Sequence, residues 1–246
     1  MHTCLGVDEI VRLLVCEVVG SGWNTTGVSL ACYCKSLGDP VLDLLWGTQD
    51  WLDLLLETFP TSIWNKGVQI LVSLSMFIVS FPLNHLVGKV FKRTATSMEW
   101  AWFKKYAQRM RELKVKFSDE PIPSDILSVL QLRTLSEPLL PNLQLLELKE
   151  APAEIVPFIP LFLSHRTVDV TIQFTTTPPA AVIASMIVNL PTLCPCMQSV
   201  CLQPLALEDS TITHAVSEML LTCNLDTIQC FLVDSTLTED GRRVVY

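Results

Sequence analysis

Between residues 140 and 233 the chain keeps returning to one local theme, a turn followed by a short strand of alternating apolar residues. Leu140-Pro141-Asn142-Leu143-Gln144-Leu145-Leu146-Glu147-Leu148 states it, and Leu193-Cys194-Pro195-Cys196-Met197-Gln198-Ser199-Val200-Cys201-Leu202 restates it. Thr167 to Phe174 (TVDVTIQF) and Leu225 to Val233 (LDTIQCFLV) alternate in the same way. Alternation puts every second side chain on one face of a strand. Residues 180–190 and 210–222 carry helical spacing instead and would cover that face. A single strand and helix cannot enclose its own apolar side, so units of this kind must stack on one another. Strands are expected near 143–148, 168–174, 198–203 and 227–233.

The N-terminal part has a different texture. In VDEIVRLLVCEVV, residues 7–19, Ile10, Leu13 or Leu14, Glu17 and Val18 fall at helical spacing, with Asp8 and Glu9 in the first turn, where the helix dipole favours them. Gly20-Ser21-Gly22 breaks this helix, and Asn24-Thr25-Thr26 offers capping oxygens to a second one running through 29–37. Asp39-Pro40 is expected to end it, because the residue before proline is pushed out of the α region. Val41 to Trp46 then begins a third helix with Pro40 near its first position. Three short helices in so few residues enclose little core, and their apolar faces call for a partner.

Two segments join these regions. Residues 67–88, GVQILVSLSMFIVSFPLNHLVG, carry no charge and are flanked by Lys66 and by Lys89, Lys92 and Arg93. Their length suits a membrane helix. Gln69, Pro82, Asn84 and His85 leave only 70–81 firmly apolar, which favours a buried or spurious run over a membrane span. Residues 92–116 hold eight of the 17 Lys and Arg and place Met98, Trp102, Tyr106, Met110 and Leu113 on one helical stripe, the pattern of a basic amphipathic linking helix.

Composition excludes several functions. A net charge of -8 does not supply the basic field that nucleic acid requires. Nine cysteines would suit a small secreted scaffold, but Asp8 and Glu9 stand where a signal peptide needs basic residues, so reduced thiols in a cytoplasmic or nuclear protein are expected. Cys32-x-Cys34 and Cys194-x-Cys196 with Cys201 are spaced too tightly for a zinc knuckle and read as small apolar fillers. His2, His85, His165 and His214 are scattered singly, and nine glycines form no phosphate loop. No catalytic constellation, metal site or cofactor site is expected.

DEIVRLLVCEVV, a short polar link and SLACYCKSLGDPVLDLLW together resemble an F-box, the helical module that docks substrate receptors onto the Skp linker of cullin-type ubiquitin ligases. More closely, the chain is similar to F-box proteins of mushroom-forming fungi in which degenerate leucine-rich repeats follow. Tyr33-Cys34-Lys35 stands for the family's Val-Cys-Arg triplet, Asp39-Pro40 and Leu45-Trp46 match its third helix, and Gly6-Val7 replaces its opening Leu-Pro. The resemblance implies an α+β chain: a three-helix F-box-like module (1–60), a hydrophobic insert and basic linking helix (61–118), and a short α/β leucine-rich-repeat-like solenoid (119–246). It implies a non-catalytic substrate adaptor whose partners are the Skp-type linker, the cullin complex and an unidentified protein target. Val7, Ile10, Leu14, Leu30, Leu37, Pro40, Leu45 and Trp46 would meet the linker. Family members would continue past Tyr246, where the pattern stops without a polar cap. The alternatives are a small membrane-anchored protein spanning near 68–88 and a remnant open reading frame.

Overall fold

A computed structural model describes residues 35–66, 89–118, 122–133, 137–205, 209–223 and 229–234. The chain enters through helix α1 (Lys35–Gly47), strand β1 (Thr48–Gln49) and the single turn α2 (Asp53–Leu56). A 3-10 turn (Thr61–Ile63) leads to β2 (Trp64–Lys66), which pairs antiparallel with β3 (Lys89–Phe91). Helix α3 (Ser97–Ala107) and strand β4 (Glu112–Lys116) follow, and from there strand and helix alternate. The succession is α4 (Ser124–Arg133), β5 (Leu145–Ala151), a 3-10 segment (Ala153–Phe158) with α5 (Ile159–Phe162), β6 (Asp169–Phe174), α6 (Ala180–Leu193), β7 (Ser199–Leu205), α7 (Ser210–Thr222) and β8 (Gln229–Asp234).

The fold is mixed α/β. Six strands form one parallel sheet in the order β1-β4-β5-β6-β7-β8, so every large-sheet neighbour is also the next such strand along the chain. Glu112, Leu145, Asp169, Ser199 and Gln229 stand side by side in register, and the next rung in is Leu113, Leu146, Val170, Val200 and Cys230. The repeats expected from the alternation therefore appear as strands whose ends lie within three residues of their expected positions.

Alternation decides what each strand buries. Leu113, Val115, Leu146, Leu148, Val170, Ile172, Val200 and Leu202 are all 2 % exposed or less and belong to one continuous core with Leu52, Phe103, Leu127, Ile187 and Met219. Helix α6 supplies Ile183, Ala184, Met186, Ile187 and Leu190, and α7 supplies Ile212, Ala215, Val216 and Met219, each at the spacing that keeps one stripe facing the sheet. Asp209 caps α7 by accepting from the Thr211 N–H at 2.8 Å. At the other end of the core, Phe59 stacks on Phe103 at 5.0 Å and meets Trp100, Phe91 and Trp64 edge-on. These rings close the apolar end that the first repeat would otherwise expose.

Core and sheet both run across positions 60 and 118, where domain boundaries were expected, because β1 and β4 sit in the same sheet as β5–β8. Two expectations are corrected. The break at Asp39-Pro40 is absent, since α1 continues through Pro40. Proline removes one helical hydrogen bond, at a cost of roughly 3 kcal/mol. Val41 is fully buried beside it and Arg109 grips Asp39 and Asp43, one turn apart, which offsets that loss. The 92–116 helix is shorter and differently turned. It ends at Ala107, Met110 closes a turn on the Ala107 carbonyl, and Leu113 lies in a strand. Its buried residues are Phe103 and Ala107, while Met98 and Trp102 are 74 % and 51 % exposed. Thr96 and Glu99 fix its start as a reciprocal capping box.

The uncharged run 67–88 lies outside the described residues, but its two ends do not. Lys66 and Lys89 are register partners at the end of the β2–β3 ladder. Antiparallel partners stand ~5 Å apart, whereas one crossing of a bilayer separates its ends by ~30 Å. Among the described residues no helix is long and apolar enough to cross a membrane.

Candidate functional site

A parallel sheet ordinarily carries helices on both faces. Here the side chains opposite the core are mostly polar and half-buried to exposed: Glu112, Lys114 and Lys116 on β4, Leu145, Glu147 and Lys149 on β5, Asp169, Thr171 and Gln173 on β6, Ser199, Cys201 and Gln203 on β7. They form one open face. Its β4–β5 half is charged and its β6–β7 half is mostly neutral.

The charged half is laced by short-range ion pairs. Lys114 Nζ meets Glu112 Oε2 at 2.9 Å, Lys149 meets Glu147 at 2.8 Å and Lys116 meets Glu150 at 3.6 Å. The hydrogen bond from Lys114 to Glu112, with the nearby charges of Glu147 and Asp50, raises the Lys114 pKa. At Lys149 and Glu150 the alternation fails, because both side chains are exposed and the β5–β6 register shifts between Leu148 and Ala151. Glu150 takes φ 53° there, a left-handed conformation uncommon outside glycine. Such bulges redirect side chains and collect at binding surfaces. Beside it, the β1–α2 turn brings Asp50 and Trp51 over the strand ends, enclosing a shallow groove of about 240 Å³ with Lys114, Lys116, Glu147 and Lys149.

The residues expected to meet a linker are distributed unevenly. Val7, Ile10, Leu14 and Leu30 lie outside the described residues, as does the Leu37 side chain. Pro40, Leu45 and Trp46 share α1 and are half-buried. The Trp46 ring packs against Tyr106 of α3 with centroids 4.8 Å apart, so it also anchors α1 to the core. Arg109 reinforces that anchor: it donates to Asp39 Oδ1 at 2.5 Å, to the Asp39 carbonyl at 3.1 Å and to Asp43. Burial works against the Arg109 charge, yet the two aspartates outweigh it and raise its pKa. Directly after α1, the Arg111 N–H donates to the Gly47 carbonyl at 2.7 Å and β1 pairs with β4. Helix α1 is thus joined to the sheet without an intervening linker.

The cysteines divide by environment. Cys194 is 1 % exposed, and burial pushes its thiol up to about 11, so it stays neutral beside the buried Ser164 and Thr167. Those two hydroxyls both donate to the Leu143 carbonyl at 3.2 Å and fasten the turn before β6. Cys196 is exposed, and burial raises the pKa of the half-buried Cys201. Among the described residues no group of three or more His, Cys, Asp or Glu could hold a metal ion.

Sequence reading missed the Arg109 clamp, the Asp50–Trp51 wall and the charged open face. The last was encoded in the polar positions of ELKVK (112–116) and LELK (146–149), which alternate as regularly as the apolar ones. No family model, no curated protein and no solved structure matches the chain.

Proposed function

We propose that the chain is a non-catalytic substrate-recognition adaptor of a cullin-type ubiquitin ligase, in which N-terminal helices ending in α1 dock on the Skp linker and the open face of a leucine-rich-repeat-like sheet holds the target. One observation carries the recognition half: the six parallel strands follow strict chain order, and among the described residues no helix covers the mostly polar face of β4–β7. Open parallel sheets that bind small-molecule substrates do so where the strand order reverses, and the described strands contain no such reversal. An uncovered, laterally extended surface suits a polypeptide better. The docking half rests on the F-box resemblance of residues 7–46.

In this reading the chain performs no bond chemistry. It raises the effective concentration of a target lysine at the ligase, and partner subunits transfer ubiquitin. The direct passage from α1 to β1, the Trp46–Tyr106 contact and the Arg109 clamp would hold the target at a fixed orientation to the linker. The β2–β3 ladder weighs against the membrane-anchored alternative.

The test is capture of purified Skp linker by the full chain, compared with Leu45→Ala and with Leu45→Ala combined with Trp46→Ala. The proposal expects capture by the unaltered chain, weaker capture by the single variant and none by the double variant at unchanged helical circular dichroism. Equal capture by all three would overturn the docking role of α1.

A further inference from the structure

We propose that residues 67–88 dock back onto the outward face of α3, where they cover Met98, Ala101 and Trp102. This docking is independent of linker binding.

Helix α3 is apolar on two sides. Phe103 and Ala107 are buried, with Trp100 and Tyr106 packed partly beside them. Met98, Ala101, Trp102 and Lys105 recur at helical spacing on the opposite side, and all four are exposed. Met98 is 74 % and Trp102 51 % exposed. Lys105 Nζ lies 5.4 Å from the Trp102 ring centroid, so even the charged end of this stripe rests on an aromatic ring. A surface helix ordinarily pairs one apolar stripe with one polar face, and a helix apolar on both sides calls for cover on both.

Residues 67–88 begin and end beside this helix. They leave at Lys66 and return at Lys89, register partners on β2 and β3. Beyond the other end of that ladder the Lys92 N–H donates to the Ile63 carbonyl at 2.8 Å, and Arg93 reaches both Ser62 Oγ at 3.3 Å and Glu99 of α3 at 2.7 Å. Rings join the same elements, since Phe59 meets Phe91 of β3 at 5.9 Å and Trp100 of α3 at 5.1 Å. The ladder and α3 are therefore one packed unit. Further apolar side chains stand open around it: Val90 on β3 is 42 % exposed, and Leu132 on α4, which packs beside β3, is 71 % exposed.

The run matches such a face in character and in length. Its 22 residues carry no charge, so no ion pair has to be found for them on an apolar stripe. Out and back they reach ~36 Å at ~3.3 Å per residue, against a length of ~16 Å for the 11 residues of α3. Docking removes two apolar surfaces from water in one contact. A run that leaves and returns on neighbouring strands gains this without a partner chain. It would also cover the β1 end of the stack, where among the described residues no earlier strand-and-helix unit adds a layer.

The experiment places a photoreactive group in the full chain through Trp102→benzoylphenylalanine, with Leu221→benzoylphenylalanine on α7 as the control, and maps the cross-links by peptide mass spectrometry. The expected result is an adduct between position 102 and a peptide from 67–88 at the mass of a single chain, unchanged on dilution and missing from the control. An adduct bridging two chains would give the face to a second copy. Transfer to lipid in the presence of phosphatidylserine vesicles would give it to a membrane surface. Either result, or no adduct to 67–88, would overturn the proposal. A second variant replaces 67–88 by Asn-Gly, which closes β2 and β3 as a two-residue hairpin. At unchanged helical circular dichroism it should bind the apolar dye ANS several-fold more strongly than the full chain, and Met98→Glu with Trp102→Glu in the same background should reverse the gain. Unchanged dye binding by the folded hairpin variant would overturn the proposal as well.

Discussion

On β4 and β5, neighbouring residues of the same strand meet opposite fates. Leu113, Val115, Leu146 and Leu148 are sealed beneath the helices, while Lys114, Lys116, Glu147 and Lys149 line a groove on the other side. The covered face is held by apolar area removed from water, a contribution each buried leucine makes at about 1.5–3 kcal/mol. The open face is held by nothing comparable, since its ion pairs are exposed and worth little. The core thereby rests on alternate positions of one strand, and the open positions can vary in identity without endangering it.

That division can be broken in order of expected effect. Leu148→Ala removes a side chain 1 % exposed at the centre of the sheet and should cost about 2–5 kcal/mol in denaturant unfolding. A loss near zero would mean the core does not extend through β5. Arg109→Ala should cost less, on the order of 1 kcal/mol, because its aspartate partners are largely exposed. Its signature would be faster hydrogen exchange in α1 with the sheet unchanged, and uniform exchange throughout would contradict the clamp.

Acid titration sharpens the comparison on α3. The hydrogen bond from Arg93, followed by the Thr96 backbone N–H, holds the Glu99 carboxyl at about 2 instead of 4.5. A depressed folded value means that this contribution is present above about 4.5 and is lost as pH falls toward 2. Glu99→Gln should flatten the acid limb of the stability curve across that window, and an unchanged limb would count against the capping box. The smallest effect belongs to the open face: Lys149→Gln should change unfolding free energy by no more than about 0.5 kcal/mol. A large loss there would show that the groove is a structural seam.

The repeats were legible because alternation is local: Thr167 to Phe174 announces its buried side without reference to any other segment. The phase of α3 was not. Met98, Trp102 and Tyr106 and the set Trp100, Phe103 and Ala107 are both apolar at helical spacing, and only the position of Phe59 decides which set is buried. Pro40 misled for a related reason. Its local penalty is readable from sequence, but the Arg109 contacts that offset part of it come from seventy residues downstream. The Lys116–Lys149 pair likewise exists only once β4 and β5 are in register.

The most direct measurement is size-exclusion chromatography of the full chain co-expressed with a Skp linker, run alongside a Lys114→Gln, Lys116→Gln, Lys149→Gln variant. The account predicts a single co-eluting peak in both cases, because the proposed docking residues lie within 7–46 and the altered lysines face away from the core. Separate elution of the unaltered, folded chain would contradict the adaptor reading, and loss of the complex in the triple variant alone would place linker binding on the sheet.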